Sequence, residues 1–360
     1  MNFLSIDQHI AVCSDIRYIF NQLGHTVHEV SLSGHANIIG KNQANIEMLS
    51  GDEWGVTIRE RKFKEFADKY VSFFEKYDGF ICCYPPIFSM LYKYIDKPII
   101  IQIPIRYEYG AENNPELWYE FNEYLRDGID KKKIFLSANS MYDKKYTELF
   151  LNRSIRHIPS LCEYTGTSYN PVNGLFLYYS CSKMKDPSGR MIKKHDALRA
   201  GHNWQCIGDF KGCIHFPYNI STMSTFEQYT ANIPVFFPTK RLLLEMFENK
   251  EDVLSQISFL QQIPNMNQGT KIAYDFDFAK IPDPNNFNDI DSLKYWLDYS
   301  DFYYMKDADS LEYIQLFNDL ETVLSLSKHQ LIEISLAMKE HNKVRKEIIY
   351  NKWSKVLQQL

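Results

Sequence analysis

Short apolar runs rich in β-branched and aromatic residues alternate with segments of helical period along most of the chain, and this alternation restricts the possible folds more than any other feature. "MNFLSI" (Met1–Ile6) reads as a strand and Ile10–Leu23 as a helix. After Gly24, a natural helix stop, "HTVHEVSL" alternates as a second strand. A polar region follows, then a helix over "ERKFKEFADKYVSFFEKY" with Phe63, Phe66, Tyr70, Phe73 and Phe74 at helical spacing. The series continues with the strand "GFICCY", a helix over "IFSMLYKYI", the strand "KPIIIQIPI", a helix over "ELWYEFNEYLRDGI" and the strand "KIFLSAN". Strands that are apolar throughout, separated by helices, specify a parallel sheet covered on both faces.

The segment "SLCEYTGTSYNPVNG" (Ser160–Gly174) is rich in Ser, Thr, Gly, Asn and Pro and reads as an interdomain linker. A second series follows it: strand "LFLYYSCS", part of a helix at "HDALRAG", a strand at "NWQCIGDF", strand "CIHFP", helix "MSTFEQYTAN" and strand "IPVFFP". Residues 264–291 are Asn/Asp/Pro-rich and read as loop, and the last thirty or so as one long or two short amphipathic helices. The expected fold class is therefore α/β, with two Rossmann-like domains over residues 1–165 and 166–330 and a helical tail over 331–360.

Composition narrows the function. The 360 residues carry a formal net charge of −5 with no basic arm or cluster, which argues against nucleic acid as a partner. Seven scattered cysteines, an odd number without framework spacing, read as reduced thiols. The N-terminus lacks a charged region ahead of a long apolar stretch, and the longest apolar runs are too short to span a bilayer, so a soluble cytoplasmic protein without a transmembrane segment is expected. No GxSxG, GxxxxGK[ST], HExxH, CxxC or early GxGxxG is present, and the dispersed histidines, His25 and His28 included, give little reason to expect a metal.

In open α/β sheets ligands bind beyond the carboxyl ends of the strands. After "CIHFP", Tyr218, Asn219, Ser221, Thr222 and Ser224 lead into a helix whose free N–H groups suit a phosphate, and Glu227 could accept hydrogen bonds from ribose hydroxyls. Ser224 and Glu227 also match a capping box, which would satisfy only the backbone. The loop "SCSKMKDPSGRM" brings Lys183, Lys185 and Arg190, cations able to neutralise a diphosphate or simply to sit in a solvated turn. Beyond "KPIIIQIPI" stand Arg106 and Glu108, either ligand contacts or surface charge. Asp7 and His9 follow the first strand as candidate general bases, with Asp7 alternatively the N-cap of the next helix.

The two halves, the linker, the phosphate-suited helix start and the helical tail resemble the GT-B architecture of nucleotide-sugar glycosyltransferases, two domains facing a central cleft. Pro217 at the strand end, Glu227 in the helix and Pro234 of "NIPVFF" seven residues later resemble the pattern of glycosyltransferase family 4. The chain departs from that family where its motif has a first glutamate, since residue 219 is Asn, and the loop is shorter. The resemblance implies a metal-independent enzyme of glycan biosynthesis, without a cofactor. It would transfer a hexosyl or pentosyl group from a nucleotide-diphosphate sugar to a glycan or other hydroxyl acceptor. Glu227 would hold the donor ribose; Tyr218, Ser221, Thr222, Ser224, Lys183, Lys185 and Arg190 would hold the rest of the donor. Asp7 or His9 would be the base, and Arg106 and Glu108 the acceptor contacts. Alternatives are a nucleotide-sugar epimerase or hydrolase of the same fold, a non-catalytic carbohydrate-binding protein, or an inactive partner subunit.

Overall fold

A computed structural model describes residues 1–51, 56–58, 62–111, 114–180, 188–198, 203–255, 281–285, 289–300 and 311–360. The described residues form two compact units, the first chiefly Met1–Ser160 with Tyr350–Leu360, the second Leu161–Ile257 with Pro282–Ile349.

The first unit is built on strands β1 (Asn2–Asp7), β2 (Thr26–Ser31), β5 (Gly79–Cys82), β6 (Ile99–Ile103), β7 (Ile134–Ala138) and β8 (Arg156–His157). They form one six-stranded sheet in the order β2-β1-β5-β6-β7-β8, with every pairing parallel. A separate antiparallel ribbon, β3 (Leu49–Gly51) with β4 (Val56–Ile58), lies in the stretch read from sequence only as polar. The helices are α1 (Ile10–Gln22), α2 (Phe63–Phe74), α3 (Pro115–Asp130) and α4 (Met141–Leu151).

Local chemistry explains several helix boundaries. The Asn114 side chain accepts the Leu117 N–H at 3.1 Å with Pro115 as the first residue of α3, and Ser140 accepts the Asp143 N–H at 3.1 Å to open α4. The segment "IFSMLYKYI" makes a 3₁₀ helix over Pro86–Tyr92 rather than an α-helix. Every residue of that turn is buried, and Tyr92 stacks on Phe80 with ring centroids 3.9 Å apart. Phe63, Phe66 and Phe74 are the buried stripe of α2, Phe74 meeting Phe80 and Tyr92 edge-on at 5.5 and 5.3 Å.

The second unit carries five strands: β9 (Phe176–Tyr179), β10 (Met191–Lys193), β11 (Cys213–His215), β12 (Val235–Pro238) and β13 (Gln315–Phe317). Their order is β10-β9-β11-β12-β13, again parallel throughout. Its helices are α5 (Lys194–Ala197), α6 (Trp204–Ile207), α7 (Met223–Thr230), α8 (Lys240–Glu248), α9 (Ile290–Leu297), α10 (Leu320–Leu324) and α11 (Lys328–Leu357).

The chain is thus α/β with two Rossmann-like parallel sheets and C-terminal helices. Two further details differ from the sequence expectation. "NWQCIGDF" holds the short helix α6, started by the Asn203 side chain accepting the Gln205 N–H at 2.9 Å, and its strand reading is corrected. The edge strand is instead "MIK", three residues whose lysine hid the pattern. The C-terminal segment is one helix of 30 residues. Residues 264–280 of the expected loop lie outside the described residues.

In both units the strand order reverses beside the first strand, between β1 and β5 and between β9 and β11. The residues just beyond the carboxyl ends of those strands therefore stand at the topological position where α/β sheets generally bind ligands.

Candidate functional site

At the reversal point of the first unit, β1 delivers Asp7 and His9, and β5 delivers Tyr84. Asp7 is buried, and its carboxylate accepts three backbone N–H groups: His9 at 2.6 Å, Tyr84 at 2.9 Å and Cys83 at 3.2 Å. It ties the ends of two strands together and does not cap α1, whose N-cap position is His9. Burial, which outweighs those hydrogen bonds and is reinforced by the charge of Glu29, pushes the Asp7 carboxyl up to about 8.

The His9 ring stands edge-on to Tyr84 at 5.4 Å, and Tyr84 stacks on Tyr109 at 4.7 Å. Burial, with the charge of His35 nearby, lowers His9 to about 4, so its imidazole is neutral at neutral pH. His9 Nδ1 is buried and has no hydrogen-bond partner. A neutral ring with an unengaged nitrogen can accept a proton, whereas the oxygens of Asp7 are already occupied by backbone donors.

Arg106 and Glu108, expected as contacts or surface charge, are both fully buried. Arg106 pairs with Asp143 on α4, Nε to Oδ1 3.3 Å, and its guanidinium lies 5.2 Å from the Tyr142 ring centroid. Glu108 accepts the Tyr146 hydroxyl at 2.6 Å. The loop after β6 is folded inward onto α4, so the assignment of these two residues as acceptor contacts is corrected.

In the second unit, Tyr218, Ser221, Thr222, Ser224 and Glu227 all fall between the end of β11 and the second turn of α7. The capping-box reading of Ser224 with Glu227 does not hold, because the N-cap residue is Thr222 and its side chain makes no capping hydrogen bond. Thr222 Oγ1 instead lies 3.2 Å from Ser224 Oγ and 3.0 Å from Thr225 Oγ1. Ser221 is buried while Tyr218 and Ser224 are half-buried.

Glu227 is the fifth residue of α7 and is 9% exposed, accepting a hydrogen bond from the Tyr164 hydroxyl. Burial raises its carboxyl above the ordinary range, partly offset by that bond, by the Lys194 charge and by Trp204. A narrow crevice beside it is lined by Thr165, Thr167, Trp204 and Gln228.

Across the carboxyl ends of β9, β11 and β12, the rings of Tyr179, His215 and Phe237 stack in a row at 4.5 and 4.7 Å. His215 Nε2 is 2.7 Å from the Gln228 side-chain oxygen, and burial lowers His215 to about 4, keeping it neutral. Lys194, the first residue of α5, holds its ammonium 5.1 Å from the Tyr179 ring centroid.

Arg190 is not part of this group. Its carbonyl accepts the Phe176 N–H where β9 begins, which places its backbone at the amino edge of the sheet. Its guanidinium pairs with both oxygens of Glu321 at 2.6 Å. The donor-binding assignment of Arg190 is corrected on that ground. Lys183 and Lys185 lie outside the described residues. No group of three or more metal-ligating side chains occurs among the described residues, nor does any helix long and apolar enough to cross a membrane.

The sequence reading missed Lys194, Tyr164 and Gln228. Recognising "MIK" as a strand would have put Lys194 in a post-strand position, and Gln228 adjoins Glu227. Nothing in the sequence marks the pairing of Tyr164 with Glu227 across 63 positions.

No protein-family model matches the chain, and no curated protein matches it. The resemblance to family 4 therefore stands on the quoted residues alone. Solved structures with a similar course include the glycosyltransferase SnogD from Streptomyces nogalater, 9% identical over 99% of each chain with a TM-score of 0.40. The spinosyn rhamnosyltransferase SpnG, complexed with thymidine diphosphate, is 10% identical over 96% of each chain with a TM-score of 0.39. A putative UDP-N-acetylglucosamine 2-epimerase from Listeria monocytogenes is 13% identical over 71% of this chain and 91% of its own, with a TM-score of 0.34. Likenesses of this size do not assign the chain to any of those families.

Proposed function

We infer that the chain is a glycosyltransferase using a nucleotide-diphosphate sugar, with the donor on the second unit and a glycan or other hydroxyl acceptor on the first. The observation that carries this reading is the group at the carboxyl edge of the second sheet. There a buried carboxylate, Glu227, sits one turn beyond a helix start whose threonine leaves its cap position unfilled. The N–H groups and hydroxyls of Thr222 and Ser224 suit diphosphate oxygens, with Ser221 and Tyr218 beside them, and the Glu227 carboxylate suits a ribose diol. Lys183 and Lys185, just after β9 in sequence, would add positive charge. The leaving diphosphate is then stabilised by protein donors without a metal ion. In the first unit His9 is the candidate base for the acceptor hydroxyl, and Asp7 fixes the backbone that carries it.

The test is a thermal-shift panel of UDP, GDP, TDP, CMP and their sugars, since a ligand of the folded state raises its melting temperature by mass action. At least one nucleotide diphosphate should stabilise the protein, and Glu227→Ala should weaken its binding about tenfold or more without unfolding the chain. No shift with any nucleotide would remove this reading.

A further inference from the structure

We propose that Lys194 is the cation that receives the phosphate groups of an anionic ligand in the second unit, in the position that sequence reasoning gave to Arg190. The inference deepens the donor-site reading above and rests on it.

Three observations lead there. Lys194 directly follows the end of β10, at the same carboxyl edge as Tyr179 and His215 and next to the reversal of strand order between β9 and β11. Among the described residues its ammonium has neither a hydrogen bond nor an ion pair: its neighbours are the Tyr179 ring at 5.1 Å and, at longer range, the Glu227 charge. Beside Tyr179, at the end of β9, the buried Ser180 hydroxyl also lacks a hydrogen-bond partner.

A charge taken largely out of water without a counter-charge in contact costs free energy, and a buried hydroxyl left unsatisfied adds to it. Burial lowers the Lys194 pKa, in keeping with that cost. An anion carrying several acceptor oxygens would relieve both. A phosphate near Lys194 and Ser180, joined to a diol held by Glu227, is the chemistry of a nucleoside diphosphate. Inorganic pyrophosphate shares only its anionic half. The tyrosine ring facing the ammonium holds it without neutralising it. Arg190 is committed to Glu321 and begins at the opposite edge of the sheet.

The experiment measures calorimetric binding of inorganic pyrophosphate, of the nucleoside diphosphate that the panel selects, and of its parent nucleoside. The proteins are the wild type, Lys194→Met and Arg190→Met. Methionine keeps an unbranched apolar stem without the charge, and circular dichroism checks the fold. Lys194→Met should lower the affinity for pyrophosphate and for the diphosphate tenfold or more and leave the nucleoside unchanged, whereas Arg190→Met should change none of them. A second measurement needs no variant: in the wild type, pyrophosphate should protect Lys194 from acylation by acetic anhydride, read by mass spectrometry. Equal diphosphate affinity in Lys194→Met, or equal labelling with and without pyrophosphate, overturns the assignment while leaving the donor-site reading in place. Absence of any nucleotide or pyrophosphate binding to the wild type overturns both.

Discussion

Arg106 and Asp143 form an ion pair with both side chains fully enclosed, Nε to Oδ1 3.3 Å, and it joins the loop after β6 to the first turn of α4. Ser140 completes it, its hydroxyl donating to Asp143 Oδ2 at 2.6 Å. Removing one partner of such a pair leaves a buried charge without compensation, a loss of about 3–5 kcal/mol. Arg106→Leu should therefore lower the urea midpoint strongly. The double variant Arg106→Leu/Asp143→Leu should lose less than the sum of the single variants, because neither charge is then stranded. A contact with an acceptor would have been felt in substrate affinity at unchanged stability.

Asp7 makes a prediction about pH. Its carboxyl is raised from 3.8 to about 8 in the folded state, so the folded protein holds a proton that the unfolded chain has released at neutral pH. Stability from this group is fully present below pH about 4 and is lost progressively up to about pH 8, at roughly 1.4 kcal/mol per unit of difference. Urea titrations of the wild type at pH 5 and pH 8 should show that fall. Asp7→Asn, which cannot ionise, should flatten the difference.

Much of this was legible in the sequence because each β–α alternation is a local pattern. The strand "KPIIIQIPI" and the helical stripe from Phe63 to Phe74 declare themselves within a dozen residues, and both sheets are assembled from such runs. The edge strands β10 and β13 do not: they are ordered by neighbours hydrogen-bonded to them, which no window of sequence contains. The side chains of the candidate site divide in the same way. Position after a strand singles out loops, but whether a charge there faces outward or folds inward depends on distant partners. Asp143 made Arg106 internal, Glu321 engaged Arg190, and Tyr164 reached Glu227.

Gly128 should invert the usual effect of a helical Gly→Ala change. Alanine is ordinarily favoured in a helix by about 1 kcal/mol. A Cβ at Gly128, near the end of α3, would overlap Ile134 Cδ1 and stand 2.5 Å from its Cγ1, in the core where β7 begins. Gly128→Ala is expected to destabilise by about 1–3 kcal/mol through overpacking. Adding Ile134→Ala, itself a core truncation, should cost less in the Gly128→Ala background than in the wild type. Thermal denaturation of the four proteins of that cycle measures the coupling.

Arg345 should prove as sensitive. It is fully buried on α11, with its guanidinium 5.8 and 5.6 Å from the Phe226 and Tyr229 rings and Nη1 3.0 Å from Thr230 Oγ1. The positive charge thus sits at the C-terminal turn of α7, where the helix dipole favours a cation. Arg345→Lys keeps the charge and loses the planar stacking and the fork of donors, so it should still destabilise by about 1–3 kcal/mol. Arg345→Ala should cost more, as read by urea midpoints.

Tyr164 offers a test of the proposed donor site that leaves Glu227 in place. Its hydroxyl hydrogen bond lowers the Glu227 pKa against the larger effect of burial, and the ribose contact proposed for Glu227 would use the ionised carboxylate. Tyr164→Phe removes that bond and should raise the Glu227 pKa further. Binding of the nucleoside diphosphate should then weaken as pH falls in both proteins, with the loss beginning at a higher pH in Tyr164→Phe. The stability contribution runs in the opposite direction: a carboxyl raised on folding favours the folded state at low pH, so acidification weakens the ligand and not the fold at this residue. Calorimetric titrations from pH 5 to pH 8 distinguish the outcomes, and identical pH profiles for the two proteins would count against a ribose-binding role for Glu227.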